Sequence, residues 1–449
     1  MSLALFKHYN KPLLLLALPL LGAHLAQTGM SVADTIMAGR LSAVDLAAVA
    51  VGTSVFMPLL LLLFGTLMAT TPLVAQANGA GNTQTLARTI QQSGWTSLLI
   101  ILPIAFVLYN ARTIFDFMSV TPEVATLGAN YLKAIAWGLP AVAVFQVLRC
   151  MCEGLNHARP VLLISVAGLL LNVPANYVLI YGEFGFPKLG AVGCGYATAL
   201  SFWFMAVLLA LYIHFEKRYR NFAIFGIFHA PSLKEIAATL WLGLPIGLSI
   251  FVEASLFTVI TLFIGEMGRF TVAGHQVALN FTGLLFMVPL SLGLALTVKV
   301  GHAIGAKRPT EARQIAFYGI GLSFLVALAS SLFMLLVADW VVKLYSPNPQ
   351  VQLLAASLIQ LAVWYQISDA IQINAAGALR GYKDTRIIML ITLFSYWLIG
   401  LGGGWWLAMT DNLWGAQGVY GFWYGLIAGL TVASSLLMWR LNSTSRVRI

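Results

Sequence analysis

Three carboxylates stand inside long apolar stretches of the chain: Asp34, Glu253 and Asp369. An ionised side chain at the centre of a membrane helix opposes insertion by about 2.5–3.5 kcal/mol, so an acid retained there is a functional candidate. The chemistry open to it is cation binding: a proton, Na⁺ or an organic ammonium. Glu253 and Asp369 each lie about eleven residues from a helix end, ~16 Å at the helical rise, one measured from the outside and one from the inside. Both arrive near the midplane and can meet at one level. Tyr365 precedes Asp369 by one turn on the same helix face and can donate a hydrogen bond to either carboxylate. A second polar set is shallower. Asp34 lies five residues before Gly39 and Asn176 six before Gly182, with Asn172 one turn deeper and Thr198 at a similar depth. One carboxylate, two amide oxygens and a hydroxyl make a candidate Na⁺ site or a proton-binding network around Asp34. The alternative for the asparagines is interhelical hydrogen bonding, worth about 1 kcal/mol.

Other polar and aromatic residues carry weaker signals. His24 and His275 lie in apolar runs, where a lone histidine more often bonds a backbone carbonyl than shuttles protons. Gln276 and Asn280 are one turn apart and can face a substrate cavity, with Phe281, Phe286 and Met287 near that face as contacts for an apolar ligand. Lys133 is placed to snorkel outward. Cys150, Cys152 and Cys194 sit in apolar surroundings and read as buried thiols, with no disulfide framework.

The elements that must hold these residues follow from composition. Of 449 residues 60% are hydrophobic and 9% charged, with mean hydropathy +0.87, against about 25% charge in soluble proteins. That excludes a soluble enzyme, a nucleic-acid-binding module and a disordered scaffold, and makes the lipid bilayer the chain's surroundings. Apolar runs near 13–38, 46–74, 88–110, 123–149, 160–182, 190–214, 236–264, 272–299, 314–338, 350–379, 387–410 and 416–439 predict twelve spans. The first is too long for a signal h-region and is read as a span. With the termini and the connections after even-numbered spans on one side, that side holds nineteen Lys and Arg residues. The other holds five: Arg40, Arg112, Lys188, Arg269 and Lys343. Both termini are therefore expected in the cytoplasm, and the net charge of +10 is a topology signature that requires no nucleic acid.

The chain also repeats at an offset of about 226 residues: Leu18-Pro19 returns as Leu244-Pro245, Gly39 as Gly265, and Trp137 and Gly154 as Trp364 and Gly381. The predicted fold is an all-α integral membrane protein, with twelve transmembrane helices in two six-helix lobes. An even number of spans per half relates the lobes by a pseudo-two-fold axis along the membrane normal, with a cavity between them. The lobes are expected at 1–214 and 234–449, joined by a cytoplasmic linker at 215–233. The ionisable residues break the repeat. Asp34 maps to Ile260, Asn172 to Ile399 and Asn176 to Gly403, while Glu253 maps to Gln27 and Asp369 to Val142. Residues that repeat serve packing, and polar residues that do not repeat are the ones expected to carry chemistry. No phosphate-binding G-x-x-x-x-G-K-[ST] loop and no H-E-x-x-H motif occurs. A secondary transporter driven by an ion gradient, neither an enzyme nor a cofactor protein, is the expectation.

The segments Val32-Ala33-Asp34-Thr35-Ile36-Met37-Ala38-Gly39, Leu171-Asn172-Val173-Pro174-Ala175-Asn176-Tyr177 and Ala273-Gly274-His275-Gln276-Val277-Ala278-Leu279-Asn280 resemble signatures of multidrug and toxic compound extrusion (MATE) transporters. The resemblance spans both lobes and is nearest the NorM-like bacterial subgroup, marked by an acid in span 7 and another in span 10, here Glu253 and Asp369. It implies a monomer in the bacterial inner membrane that exports amphipathic organic cations in exchange for inward Na⁺ or H⁺. It places a cation site at Glu253, Tyr365 and Asp369, with Na⁺ at the two acids, and a second at Asp34, Asn172, Asn176 and Thr198. Some archaeal relatives carry aspartate at the position of Asn176, so this chain has one carboxylate fewer there. A lipid-linked oligosaccharide flippase of the same architecture would need Arg or Lys in its cavity for a polyanionic headgroup, whereas the acids dominate here. An intramembrane enzyme would need a nucleophile–base pair or paired acidic motifs at a membrane face, and a passive channel has no use for two non-equivalent acidic sites.

Overall fold

Where water is absent the backbone must satisfy its own polar groups, which leaves a chain this apolar to helices. The computed structural model describes residues 3–411, apart from 221, 223 and 227, and residues 415–447; these are all-helical with short connections. Part of the 215–233 linker and Arg448, one of the nineteen basic residues, thus lie outside the described residues. Among the described residues eleven spans are long and apolar enough to cross a bilayer, and a bent helix pair makes a twelfth. They coincide with the twelve apolar runs.

The helices in the first half of the chain are α1 (Leu3–Leu41), α2 (Ala43–Leu67), α3 (Thr70–Gly79), α4 (Thr83–Tyr109), α5 (Ala111–Phe117), α6 (Pro122–Ala136), α7 (Leu139–Gly154), α8 (Arg159–Tyr181), α9 (Ala191–Phe215) and α10 (Lys217–Arg220). The second half holds α11 (Leu233–Gly265), α12 (Arg269–Gly305), α13 (Pro309–Tyr345), α14 (Pro349–Gly381), α15 (Thr385–Leu393), a π-helix (Phe394–Gly403), α16 (Gly404–Met409) and α17 (Val419–Val447). Contacts divide the chain into two compact units, Pro19–Gly247 on the one hand and Met1–Leu18 with Leu248–Ile449 on the other. The divisions fall inside α1 and α11, close to the repeat-related Pro19 and Pro245, whereas the sequence suggests a divide at 215–233.

In the Pro19–Gly247 unit, α9 packs on α6, α7 and α8. The predicted fourth span is α6 and α7 bent by 48°. Pro140 lacks the N–H that would continue the ladder, and its ring crowds the carbonyl four residues back. α1 lies close to α8 because Gly22 and Gly29 are small: a Cβ on either would meet Leu162 at 2.6 Å or Leu169 at 3.3 Å. At the start of α2 the Asp45 carboxylate accepts from the Ser42 hydroxyl (2.6 Å) and from the Ala191 N–H (2.7 Å), tying two helix N-termini together.

In the other unit α14 is central, packed on α12, α13 and α17. Its contact with α12 is backbone to backbone. A Cβ on Gly377 would come within 2.2 Å of the Gly293 carbonyl oxygen, and one on Gly381 within 2.9 Å of the Thr297 oxygen. Membrane helices associate through such small residues because lipid offers no hydrophobic gain for burying large ones. The Thr297 hydroxyl donates to the Gly377 carbonyl at 2.8 Å across the same contact. His275 is buried, accepting at Nδ1 from the Trp423 indole (3.2 Å) and meeting the Thr261 hydroxyl at Nε2 (3.1 Å). Thr261 already donates to the Phe257 carbonyl, so its oxygen accepts from His275. Both ring nitrogens are occupied, and the histidine pins α11, α12 and α17 together.

Candidate functional sites

In the Pro19–Gly247 unit the four predicted residues converge. Thr198 on α9 donates to Asp34 Oδ2 at 2.8 Å, and the Asn176 amide on α8 donates to Asp34 Oδ1 at 2.6 Å and to Asn172 Oδ1 at 3.0 Å. All four side chains are buried. Asn172 and Asn176 are one turn apart on α8, with Pro174 between them inside the helix. Hydrogen bonds to a charged acceptor are worth about 1.5–3 kcal/mol each, which holds the carboxylate in place. The Asn176 Oδ1 atom is buried with no hydrogen-bond partner. An unused amide oxygen beside a carboxylate is a ligand set for a small hard cation. Sequence reasoning missed the Cys194 thiol, one turn before Thr198, which sits against the same carboxyl. It also missed the buried Tyr131, whose hydroxyl meets Thr53 at 3.4 Å.

In the second unit α11 supplies Glu253, and α14 supplies Tyr365 and Asp369. The two carboxyls lie near enough to feel each other's charge, and the Tyr365 hydroxyl faces Asp369. Tyr365 and Asp369 are buried, while Glu253 is partly exposed. Asp369 Oδ1 is buried without a partner, as are both polar atoms of neighbouring Gln366 and the Gln372 amide oxygen. Two residues join this site that were not expected. Tyr396, delivered by the π-helix, stands in the electrostatic reach of Glu253, Asp369, Tyr365 and Arg380. Arg380, placed by the sequence reading in a connection, is 4% exposed and interacts with the Glu253 charge. π-Helical turns often mark functional sites. The repeat held a signal for both residues: at the sequence offset of 227, Tyr396 aligns with Leu169 and Arg380 aligns with Glu153.

The candidate cavity residues on α12 separate. Asn280 is exposed, and Gln276, Phe286 and Met287 are partly exposed, but Phe281 packs into the core of its unit with Tyr365, Tyr396 and Trp423. Phe281 lies on the helix face shared by Val277 and Ala278. Lys133 is exposed at the end of α6. Arg149, at the end of the fourth predicted span, is buried in α7. It pairs with Glu153 at 2.7 Å, both side chains 4% exposed, and donates to Gln27 Oε1 and His24 Nε2 at 3.0 Å each. His24 is therefore a hydrogen-bond acceptor for a guanidinium. The three cysteines are free and buried. Among the described residues no cluster of three His, Cys, Asp or Glu side chains is arranged to hold a metal ion.

The MatE family pattern matches residues 19–178 and 245–406, one copy in each half. The chain is 46% identical to the multidrug resistance protein PmpM of Pseudomonas aeruginosa, over 97% of this chain and 92% of that one. It is 44% identical to the probable multidrug resistance protein NorM of Shewanella oneidensis, over 98% and 96%, and 42% identical to MdtK of Yersinia pestis, over 96% and 95%. Among solved structures, the eukaryotic MATE transporter AtDTX14 superposes with a TM-score of 0.88 at 20% identity, covering 99% of both chains. An outward-facing MATE transporter of the MOP superfamily does so at 0.86 and 22%, again over 99% of each. At those identities the structural likeness speaks for the fold. Together with the matched sequence of both halves, it shows that this chain belongs to the MatE family, the multidrug and toxic compound extrusion transporters.

Proposed function

We propose that the protein is a cation-coupled antiporter that exports amphipathic, mostly cationic drugs and other toxic organic compounds in exchange for inward Na⁺ or H⁺. The observation that carries this reading is the pair of non-equivalent acidic sites, Asp34 in one unit and Glu253 with Asp369 in the other. Each has an acceptor oxygen left without a protein partner. The names of the relatives, all multidrug resistance proteins, support the cargo class. A buried carboxylate attracts a drug cation; Na⁺ or H⁺ arriving from outside neutralises it and releases the drug outward. Alternating access comes from rocking of the two lobes, in a bacterial inner membrane with both termini cytoplasmic. One charge moving inward at 100 mV supplies about 2.3 kcal/mol. Gln276, Asn280, Phe281, Phe286 and Met287 are the α12 residues proposed to meet the drug.

The test is ethidium efflux from loaded cells at fixed pH, with and without Na⁺, for the wild type, Glu253→Gln and Asp369→Asn. Efflux accelerated by Na⁺ and lowered at least about tenfold in both variants is the expected sodium-coupled result. Efflux indifferent to Na⁺ but abolished by collapsing the pH gradient assigns the coupling to protons. Absence of efflux under every gradient overturns the multidrug reading.

A further inference from the structure

The two units differ in how they treat their buried arginine. In Pro19–Gly247 the buried acidic and basic side chains among the described residues are Asp34, Arg149 and Glu153. Arg149 and Glu153 form a direct ion pair one helical turn apart, and Gln27 and His24 take up the other guanidinium nitrogens. That pair is closed, so Asp34 alone is left uncompensated. In the other unit the intramembrane charges at the site are Glu253, Asp369 and Arg380. Lys299 and His302 of α12 are only partly buried, close to the helix end at Gly305. Arg380 occupies the repeat position of Glu153, yet makes no direct ion pair among the described residues, and its Nε has no hydrogen-bond partner. It is buried on α14, on the face that carries Tyr365, Asp369 and Gln372 at helical spacing, and its charge reaches Glu253. A guanidinium cannot shed its proton in a protein. Buried without an ion-pair partner it is costly, and the acid charge within its reach is that of Glu253.

We infer that Arg380 is the built-in counter-cation of the Glu253–Asp369 pair, a positioning residue that holds the site at one net negative charge. This deepens the antiporter reading and rests on it. Two carboxylates alone would carry two negative charges and suit a divalent ion or two monovalent ones. With the Arg380 charge in reach of Glu253 the site is neutralised by one H⁺, one Na⁺ or one monocationic drug, so these ligands exclude each other. The unpaired geometry matters. A guanidinium locked on Glu253 would compete permanently with the cargo, whereas one at a distance sets the charge and leaves the carboxylate oxygens open to it. Each unit then presents a single uncompensated acid charge, by a closed ion pair in one and a loose counter-charge in the other.

The test is ethidium binding to the purified full-length protein in nanodiscs, read by fluorescence polarisation, with Na⁺, H⁺ or Ca²⁺ as competitor. The proteins compared are the wild type, Arg380→Gln, Arg380→Lys and the double variant Glu253→Gln with Arg380→Gln. In the wild type Na⁺ or H⁺ displaces ethidium and millimolar Ca²⁺ does not. Arg380→Gln is expected to bind ethidium about tenfold more tightly, because a like charge is removed from the cation's surroundings, and to become displaceable by Ca²⁺. Arg380→Lys retains the wild-type pattern, and the double variant, back at one negative charge, loses the Ca²⁺ response. Should Arg380→Gln not fold, the lysine and double variants decide the matter, since a shape requirement would spoil both and a charge requirement neither. Arg380→Gln with wild-type ethidium affinity and no Ca²⁺ response overturns this inference alone. A wild type that binds ethidium but responds to neither Na⁺ nor H⁺ overturns the antiporter reading and this inference with it.

Discussion

At the residue scale the acids of this chain divide by what their oxygens accept. Asp45 is engaged by a hydroxyl and a helix N-terminal N–H, Glu153 by Arg149, and Asp384 by Arg440 at 2.7 Å and Thr444 at 3.0 Å. These acids hold structure. Asp369 keeps an oxygen without a partner, and Asp34 sits beside an amide oxygen that has none. The sequence picked out Asp34, Glu253 and Asp369 because insertion cost depends only on charge and position along a span. It could not assign Glu153 or Arg149, since pairing depends on rotamers and neighbours. The paired reading has a measurable consequence. Glu153→Gln leaves a buried guanidinium uncompensated and is expected to destabilise the protein by about 3–5 kcal/mol, while removing both charges together with Arg149→Met and Glu153→Met costs less. Thermal melting of the purified variants ranks them, and a double variant worse than the single one would refute a closed ion pair.

At the scale of elements, the repeat and the small residues explain which helices touch. Gly154 and Gly381 are repeat partners, and each makes a close contact in its own unit: a Cβ would meet Val74 at 2.8 Å in one and the Thr297 oxygen at 2.9 Å in the other. The contact of α14 on α12 sets the height of Tyr365 and Asp369, because α14 carries both. Gly377→Ala, which would put a methyl 2.2 Å from the Gly293 oxygen, is expected to cost about 1–3 kcal/mol and to lower ethidium efflux per molecule. Gly283→Ala on α12, with nothing within 4 Å of the added carbon, is the control and should be neutral or stabilising by up to about 1 kcal/mol. Equal melting temperatures for the two variants would remove the close-packing account. The twelve spans were legible from hydropathy. The 48° bend between α6 and α7 was signalled only by Gly138 and Pro140, and the π-helix at Phe394–Gly403 by nothing in the hydropathy.

For the whole molecule the orientation rests on the uneven distribution of Lys and Arg. Arg149 and Arg380 leave that count, since both are buried in helices, but the asymmetry of the remaining basic residues still supports the proposed cytoplasmic termini. The native cysteines are buried and free, so single introduced cysteines can report the topology against a low background. Phe184→Cys, at a side chain 85% exposed after the fifth span, is expected to react with a membrane-impermeant maleimide in intact cells. Leu233→Cys, 86% exposed before the seventh, should react only after permeabilisation. The reverse pattern would invert the orientation and with it the direction of transport.

What the sequence by itself determined is additive along the chain: the number of spans, the duplication, and the acids whose burial is costly wherever they end up. What only the tertiary structure decided is which side of each helix meets protein. Lipid tails and a protein core are equally apolar, so hydropathy cannot separate a residue facing one from a residue facing the other. That is why hydropathy does not show that Phe281 packs into the core, or that Tyr396 and Cys194 stand at acidic sites. It is also why Arg380, two residues from the start of a connection, turned out to be buried within reach of the Glu253 charge.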